Sequence, residues 1–173
     1  CNMEKIKYTL VMIIGMMVIT VNCQNIKKLD DKNGFRNIKF EFPKDSLKNI
    51  KLVEQSADTE YFIKTDEILI IGEYKIKQIT YGFYKNKLCY IILDIEGYSN
   101  SKGILAVMQE LYGEGYKDNK YIEKYTWSGE KVFAVYKENS ITYNSSLMFF
   151  SNLISDQKRA DKIEKDKKAA SGM

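Results

Sequence analysis

The chain contains no histidine, the side chain that most often serves as a base, a pH switch or a metal ligand near neutral pH. Ser–His and Cys–His nucleophile pairs are therefore excluded, as is every metal site that uses imidazole. Proline is almost as scarce, with one residue in 173, which excludes a proline-rich linker. Cys1, Cys23 and Cys89 lack the close CxxC spacing of a zinc or redox site. We expect no metal and no cofactor.

The rest of the composition is typical of a globular protein about one domain long. Hydrophobic residues make up 45% of the chain and charged residues 29%. The formal net charge of +4 is modest and is spread along the sequence. Duplex binding needs a dense stripe of Lys and Arg, because each neutralised phosphate requires its own cation. The sequence therefore predicts no nucleic-acid partner.

Residues 1–23 have the pattern of an export signal. Lys5 and Lys7 precede the apolar run Tyr8–Val21, which is shorter than the roughly 20 residues of a membrane-spanning helix. Cys23 follows this run after Asn22 and resembles the modified cysteine of bacterial lipoproteins. That resemblance implies cleavage before Cys23 and its lipidation, so that acyl chains anchor the protein to a membrane. A freely secreted protein and an uncleaved N-terminal anchor are the alternatives, and all three place the domain outside the cytoplasm.

The remainder divides into three predicted regions. Residues 24–33 are polar and charged without a sustained period, which predicts a tether. Residues 34–155 hold the predicted α+β domain. Residues 156–173 are charged all round, with Ser155 as a candidate N-cap, so we expect a solvated helix or a frayed tail.

The stretch Lys75–Gly97 is the clearest strand signal, with β-branched and aromatic residues on both sides of a polar turn at Lys85-Asn86-Lys87. It predicts the central hairpin of a curved antiparallel meander sheet. A stripe of apolar residues at helical spacing predicts one main helix, about 99–112, on one face of that sheet. The stripe consists of Ile104, Leu105, Met108, Leu111 and Tyr112. The predicted fold is a single α+β domain.

Two residue groups carry possible chemistry. Asp94 and Glu96 stand two apart on a predicted strand, so both carboxylates emerge on one face, and a suitably spaced acid pair can cleave glycosides. The simpler interpretation is two solvated acids at the end of a strand. Cys89 is most simply a small buried hydrophobic residue.

An aromatic strand gives the best binding hypothesis. Tyr121, Glu123, Tyr125 and Trp127 alternate along one predicted strand and therefore share a face. Tyrosine and tryptophan are enriched in binding surfaces, because each combines a large apolar ring with a polar tip. The alternative is that these rings pack beneath the helix.

Several segments resemble a group of uncharacterised bacterial exported proteins and putative lipoproteins, over roughly Gly34 to Lys168. The similar segments are GFRNIKF (34–40), ITYGFY (79–84), GYSN (97–100), LYGEGY (111–116) and EKYTW (123–127). The group has no established activity. The resemblance implies one intact domain and bacterial export, and it transfers no catalytic residues.

Together these observations predict an envelope-associated, non-enzymatic binding or assembly protein. It would be held at the membrane by its lipid or signal segment and would contact a protein or glycan partner. A small envelope hydrolase that uses Asp94 and Glu96, without metal, is one alternative. An inhibitor or immunity-type module that blocks a partner enzyme is the other.

Overall fold

The computed structural model describes residues 25–56 and 58–172. The predicted export segment 1–23, with the candidate lipidation site Cys23, lies outside these residues. Among the helices of the described ranges, none has the length and apolar character needed to cross a membrane.

The dominant element is an open antiparallel sheet of seven strands, accompanied by two small hairpins. Strand order in the sheet is β3-β4-β7-β8-β11-β10-β9, and the hairpins are β1-β2 and β5-β6. A single turn of 3-10 helix, Lys44–Ser46, precedes the sheet. The strands are β1 (Gly34–Phe35), β2 (Ile38–Lys39), β3 (Ile50–Ser56), β4 (Thr59–Lys64), β5 (Ile70–Ile71), β6 (Tyr74–Lys75), β7 (Gln78–Tyr84), β8 (Lys87–Ile95), β9 (Lys124–Ser128), β10 (Val132–Glu138) and β11 (Ser145–Ser151).

The predicted central hairpin is confirmed. Strands β7 and β8 pair in antiparallel fashion and occupy the middle of the sheet. Lys85 and Asn86 form the turn between them, with φ values of 47° and 66°. Two consecutive residues at positive φ are typical of the two-residue hairpin turn whose twist matches that of the flanking strands. Lys87 belongs to β8, where it pairs with Tyr84.

The sheet consists of two antiparallel halves joined by a helical crossover, which differs from the single meander that the sequence predicts. From the end of β8 the chain enters helix α2 (Tyr98–Tyr112) and reaches β9 at the far edge of the sheet. Strands β10 and β11 then return, and β11 pairs with β8. The end of β8 and the start of β9 consequently lie at the same end of the sheet.

The expectation of one main helix is not confirmed, because α3 (Asn152–Ser171) has 20 residues whereas α2 has 15. The segment predicted as a helix or tail from residue 156 begins earlier, at the end of β11. The N-cap is Ser151, whose hydroxyl oxygen accepts a hydrogen bond from the backbone N–H of Ile154 at 3.2 Å. Ile154 is buried, which explains why the helix starts against the sheet.

The expected tether is instead helical and packed over most of its length. Residues 25–32 form helix α1, and Leu29 is fully buried in the main core. The carboxylate of Asp30 accepts hydrogen bonds from the backbone N–H groups of Glu130 and Lys131 at 2.8 Å and of Val132 at 3.0 Å. Two apolar residues, Ile26 and Leu29, and the side-chain cap from Asp30 therefore fix a segment whose composition alone predicts a solvated linker.

The two faces of the sheet differ in how they are covered. The inner face holds the main core, which includes Ile91, Leu93 and Leu147 from the sheet with Ile104 and Met108 from α2. The outer face is covered only near the β7–β8 turn, where Ile154 of α3 packs with Tyr84 and Cys89. Further along α3 the residues become exposed on all sides, as its charge pattern predicts.

Candidate binding surface

The predicted aromatic strand does not form a surface. Trp127 is 1% exposed and belongs to the main core, where its indole Nε1–H donates to the carbonyl oxygen of Gly113 at 2.8 Å. The ring of Tyr125 is partly buried and stacks beside it, with 6.4 Å between ring centroids. The turn after α2 covers β9 so closely that a Cβ atom on Gly115 would lie 2.8 Å from the Trp127 ring. These two aromatic residues are therefore core residues.

Tyr121 and Glu123 lie in the loop before β9, which begins at Lys124. Tyr121 is 81% exposed and joins four other exposed apolar side chains at the same end of the sheet. We call this set the loop-end patch. It consists of Tyr98, Tyr121, Ile122, Ile141 and Tyr143, with exposed fractions of 59%, 81%, 47%, 84% and 47%. Because the end of β8, the start of β9 and the β10–β11 loop share this end, the chain displays the five residues at one end of the sheet.

Two asparagines shape the loops that present the patch. The side-chain oxygen of Asn119 accepts the backbone N–H of Tyr121 at 2.9 Å. The side-chain oxygen of Asn139 accepts the N–H of Ile141 and that of Thr142, each at 2.9 Å. Asparagine commonly fixes a turn in this manner, by bonding to the backbone two residues further on. In each turn, the residue whose backbone N–H the asparagine binds carries the most exposed apolar side chain. This residue is Tyr121 in one turn and Ile141 in the other.

Tyr143 adds a strained element to the patch. Its φ of 57° is unusual for a bulky residue, and such conformations persist only where neighbouring contacts enforce them. Its backbone N–H donates to the carbonyl of Asn139 at 2.9 Å, and its carbonyl accepts the Ser101 hydroxyl at 2.8 Å. Its ring meets that of Tyr98 edge to face, with centroids 5.5 Å apart. These contacts fix the backbone of Tyr143 and place its ring against Tyr98.

A charged network lies directly beneath the patch and ties its loops to α2. Lys102 Nζ lies 3.2 Å from a carboxylate oxygen of Glu123 and 3.2 Å from one of Glu138. The side chain of Glu138 is only 3% exposed, and it also accepts the Tyr136 hydroxyl at 2.8 Å. Lys117 Nζ binds the other oxygen of Glu123 at 2.5 Å. Lys102 therefore joins the loop before β9, the end of β10 and the first turns of α2.

The network favours its charged forms. The hydrogen bond from Lys117 holds the pKa of Glu123 below its usual value against the opposing effect of burial, and Lys102 lowers it further. Burial alone would lower the pKa of Lys102, but its two carboxylate partners raise it above the ordinary value. A carboxylate with a lowered pKa is a poor proton donor near neutral pH. The arrangement thus suits the positioning of loops better than acid catalysis.

Three exposed lysines border the patch. Lys124 and Lys137 are directly opposite each other in the β9–β10 pair, where like charges destabilise a sheet. Lys120 Nζ lies 4.9 Å from the centroid of the Tyr121 ring. Within residues 25–56 and 58–172, these three lysines form no ion pair. The patch is therefore an apolar centre with a basic border.

The predicted acid pair, Asp94 and Glu96, is not part of the loop-end patch. Asp94 is half-buried on the outer face of β8, and loss of solvent raises its pKa although Lys77 counteracts this. Glu96 follows the strand, is exposed, and pairs with Lys77. Neither acid lines any of the three main cavities. In the described part of the chain, no group of three Cys, Asp or Glu side chains is placed to hold a metal ion.

Cys89 is fully buried on β8, as the simpler interpretation of the sequence predicts. Its thiol donates to the carbonyl oxygen of Gly82 at 3.2 Å. Burial raises the pKa of this thiol to about 12, so it remains protonated at physiological pH. A protonated and inaccessible thiol is neither a nucleophile nor a redox centre.

The three cavities differ in character. One of 630 Å³ lies between α3 and the β3–β4 turn and has mixed charges on its lining. A second, of 280 Å³, is apolar and lies between α2 and the two small hairpins. The third, of 270 Å³, is polar and is bordered by Arg36, Glu67 and Tyr81. None of them contains a member of the loop-end patch.

Comparisons of the chain with protein-family models, curated proteins and solved structures gave no match.

Sequence reasoning finds Tyr121 and Glu123 but misses Tyr98, Ile122, Ile141 and Tyr143. The available signal is the turn formers beside three of them, which are Gly97 and Ser99 beside Tyr98, Ser140 beside Ile141, and Asn144 beside Tyr143. Ile122, between Tyr121 and Glu123, carries no such signal. A large apolar residue beside turn formers is exposed unless a distant segment covers it. That this group is gathered at one end depends on the crossover of α2, which the sequence does not reveal.

Proposed function

We propose that this protein is a non-enzymatic, envelope-associated binding protein that contacts its partner through the loop-end patch. The observation that carries the proposal is a group of exposed apolar side chains at one end of the sheet, of which Tyr121 and Ile141 stand in turns that asparagine side chains fix. Surfaces of this kind lose little conformational entropy on binding, and buried aromatic anchors supply most of the energy of an interface. We also propose that residues 25–172 act together as one domain.

The partner best suited to the patch is a protein. Ile122 and Ile141 offer aliphatic surface, which gains binding energy from apolar side chains. The basic border of Lys120, Lys124 and Lys137 favours an acidic rim on that partner, since opposite charges across an interface increase the rate of association and its specificity. A glycan partner would rely on the tyrosine rings alone.

The patch is tested by a photo-cross-linking amino acid at Tyr121 in cells, followed by affinity measurements with the captured partner. Tyr121→Ser and Ile141→Ser are each expected to weaken binding about tenfold or more, as loss of a central anchor does. Both side chains are exposed, so the melting temperature should remain unchanged.

Ile163→Ser is the matched control, because Ile163 is an isoleucine of α3 that is 49% exposed and lies outside the patch. It should bind the partner like the wild type. If the Tyr121→Ser/Ile141→Ser double variant is folded and retains wild-type affinity, the patch is not the binding surface.

We further propose that Cys23 carries the membrane anchor. The support is its position one residue after the end of the apolar run Tyr8–Val21. A diacylated terminus there would bind a bilayer stably. Metabolic labelling with a fatty acid should label the wild type and leave Cys23→Ala unlabelled and released from the membrane fraction. Equal labelling of both would exclude Cys23 as the modified residue.

The two alternatives differ in support. A hydrolase centred on Asp94 and Glu96 has little support, because neither acid lines any of the three cavities described above and Glu96 is paired with Lys77. An inhibitor or immunity-type module would use the same loop-end patch, and the identity of the cross-linked partner would distinguish it from an assembly factor.

A further inference from the structure

The 280 Å³ cavity is an apolar site that the loop-end patch does not use. Its walls come from α2, from the β1–β2 and β5–β6 hairpins and from the inner face of β11. The apolar side chains that line it include Phe35, Ile71, Val107, Met108, Tyr112 and Phe149. Small-molecule sites are mostly apolar hollows with a few polar groups, and this volume is close to their lower limit of about 300 Å³. The space suits one narrow apolar group and is too small for a bulky cofactor.

The charged side chains that line this cavity are Lys32 and Arg36, and both are cations. Arg36 is held at a φ of 54° in the β1–β2 turn, with its guanidinium carbon 5.0 Å from the centroid of the Phe35 ring. Its Nη1 binds Glu67 at 2.5 Å and its Nη2 donates to the carbonyl of Ile70 at 2.9 Å. The guanidinium is thereby fixed beside the cavity, and its remaining N–H donors are able to meet an anion.

We propose that this cavity binds the hydrocarbon chain of a straight-chain carboxylate, whose anionic head contacts Lys32 and Arg36. The hydrocarbon chain of the ligand follows from an apolar lining of small volume. The charge of its head follows from Lys32, which forms no ion pair among residues 25–56 and 58–172, with Arg36 beside it supplying the N–H donors that Glu67 and Ile70 leave free. Ile70 and Leu111, both about half-exposed, stand beside the opening and extend the apolar contact outward.

The test is titration calorimetry of the protein with hexanoate, octanoate and decanoate below their micelle concentrations, and with the primary alcohols of equal length. Each added methylene should tighten binding about fourfold, from about 0.8 kcal/mol per buried CH₂, until the cavity is full. Each carboxylate should bind more tightly than its alcohol, and Lys32→Gln should reduce this difference. Affinity that is independent of chain length, or equal for acid and alcohol, would overturn the proposal.

Two neighbouring residues of α2 provide matched variants. Val107 lines the cavity, whereas Ala106 is exposed and faces away from it. Val107→Trp should fill the space and weaken decanoate binding at least tenfold, while Ala106→Trp should leave the affinity unchanged. Unchanged binding in Val107→Trp would place the ligand elsewhere. Thermal melting of both variants shows that they are folded, and Lys32→Gln tests the head site without altering the apolar walls.

Discussion

Replacement of Trp127 by alanine is expected to lower the free energy of unfolding by about 3 to 5 kcal/mol. The indole is 1% exposed, so its removal leaves a large cavity beneath the turn that follows α2. The change also leaves the carbonyl of Gly113 without the indole N–H donor at 2.8 Å. Because Trp127 is the only tryptophan, unfolding in urea should be followed by far-ultraviolet circular dichroism.

Two further variants separate packing from surface effects. Trp127→Phe retains an aromatic ring but loses the hydrogen bond, and should cost less than Trp127→Ala. Tyr121→Ala removes an aromatic side chain that is 81% exposed, and should change stability by less than about 0.5 kcal/mol. A loss below about 1 kcal/mol for Trp127→Ala would show that the indole is accessible, and the aromatic strand would again be a candidate surface.

The sheet centre and α2 are predictable because each carries a complete local signal. In β7 and β8, β-branched and aromatic residues fill both strands, and Lys85-Asn86 has the chemistry of a two-residue turn. In α2, the stripe that contains Ile104 and Met108 has helical period, and Gly113 follows the last turn with a φ of 86°. Where the local pattern is this strong, tertiary contacts have little influence on the secondary structure.

The ends of the described chain are less predictable because their structure depends on distant partners. Helix α1 is polar and charged apart from Ile26 and Leu29, yet Asp30 binds a turn about one hundred residues away. Similarly, Ser151 caps α3 because β11 ends there, whereas Ser155 is an equally good cap by sequence. Local propensity cannot distinguish between such choices.

The candidate site is also hard to predict, because contacts between distant segments determine which of its residues are exposed. Strand alternation correctly groups Tyr125 with Trp127, but it cannot say which face of β9 is covered. That depends on the path of α2 and on the approach of Gly115 to the indole. The exposed members of the loop-end patch come from two loops and the first residue of α2, and only the strand order places them at one end of the sheet. The binding surface is consequently a tertiary property of the chain.

The second large effect is expected for Lys102→Met, which should destabilise the protein by about 3 kcal/mol. Glu138 is 3% exposed at its side chain and would lose its cation, keeping only the hydroxyl of Tyr136 as a partner. Glu123 would retain Lys117, so the cost arises mainly at Glu138. Urea unfolding near neutral pH, compared between Lys102→Met and the wild type, should show the loss.

The double variant Lys102→Met/Glu138→Leu tests this cause directly. A buried ion pair replaced by apolar residues of similar volume is often close to neutral in stability, because neither charge then has to be desolvated. The double variant should therefore be more stable than Lys102→Met alone, with a coupling energy of about 2 kcal/mol in the mutant cycle. If it is instead as unstable as the sum of the two single variants, the loss arises from the packing of the Lys102 stem beside Tyr98, where Nζ lies 5.7 Å from the ring centroid. In that case the network supports the loop-end patch through contact and not through charge.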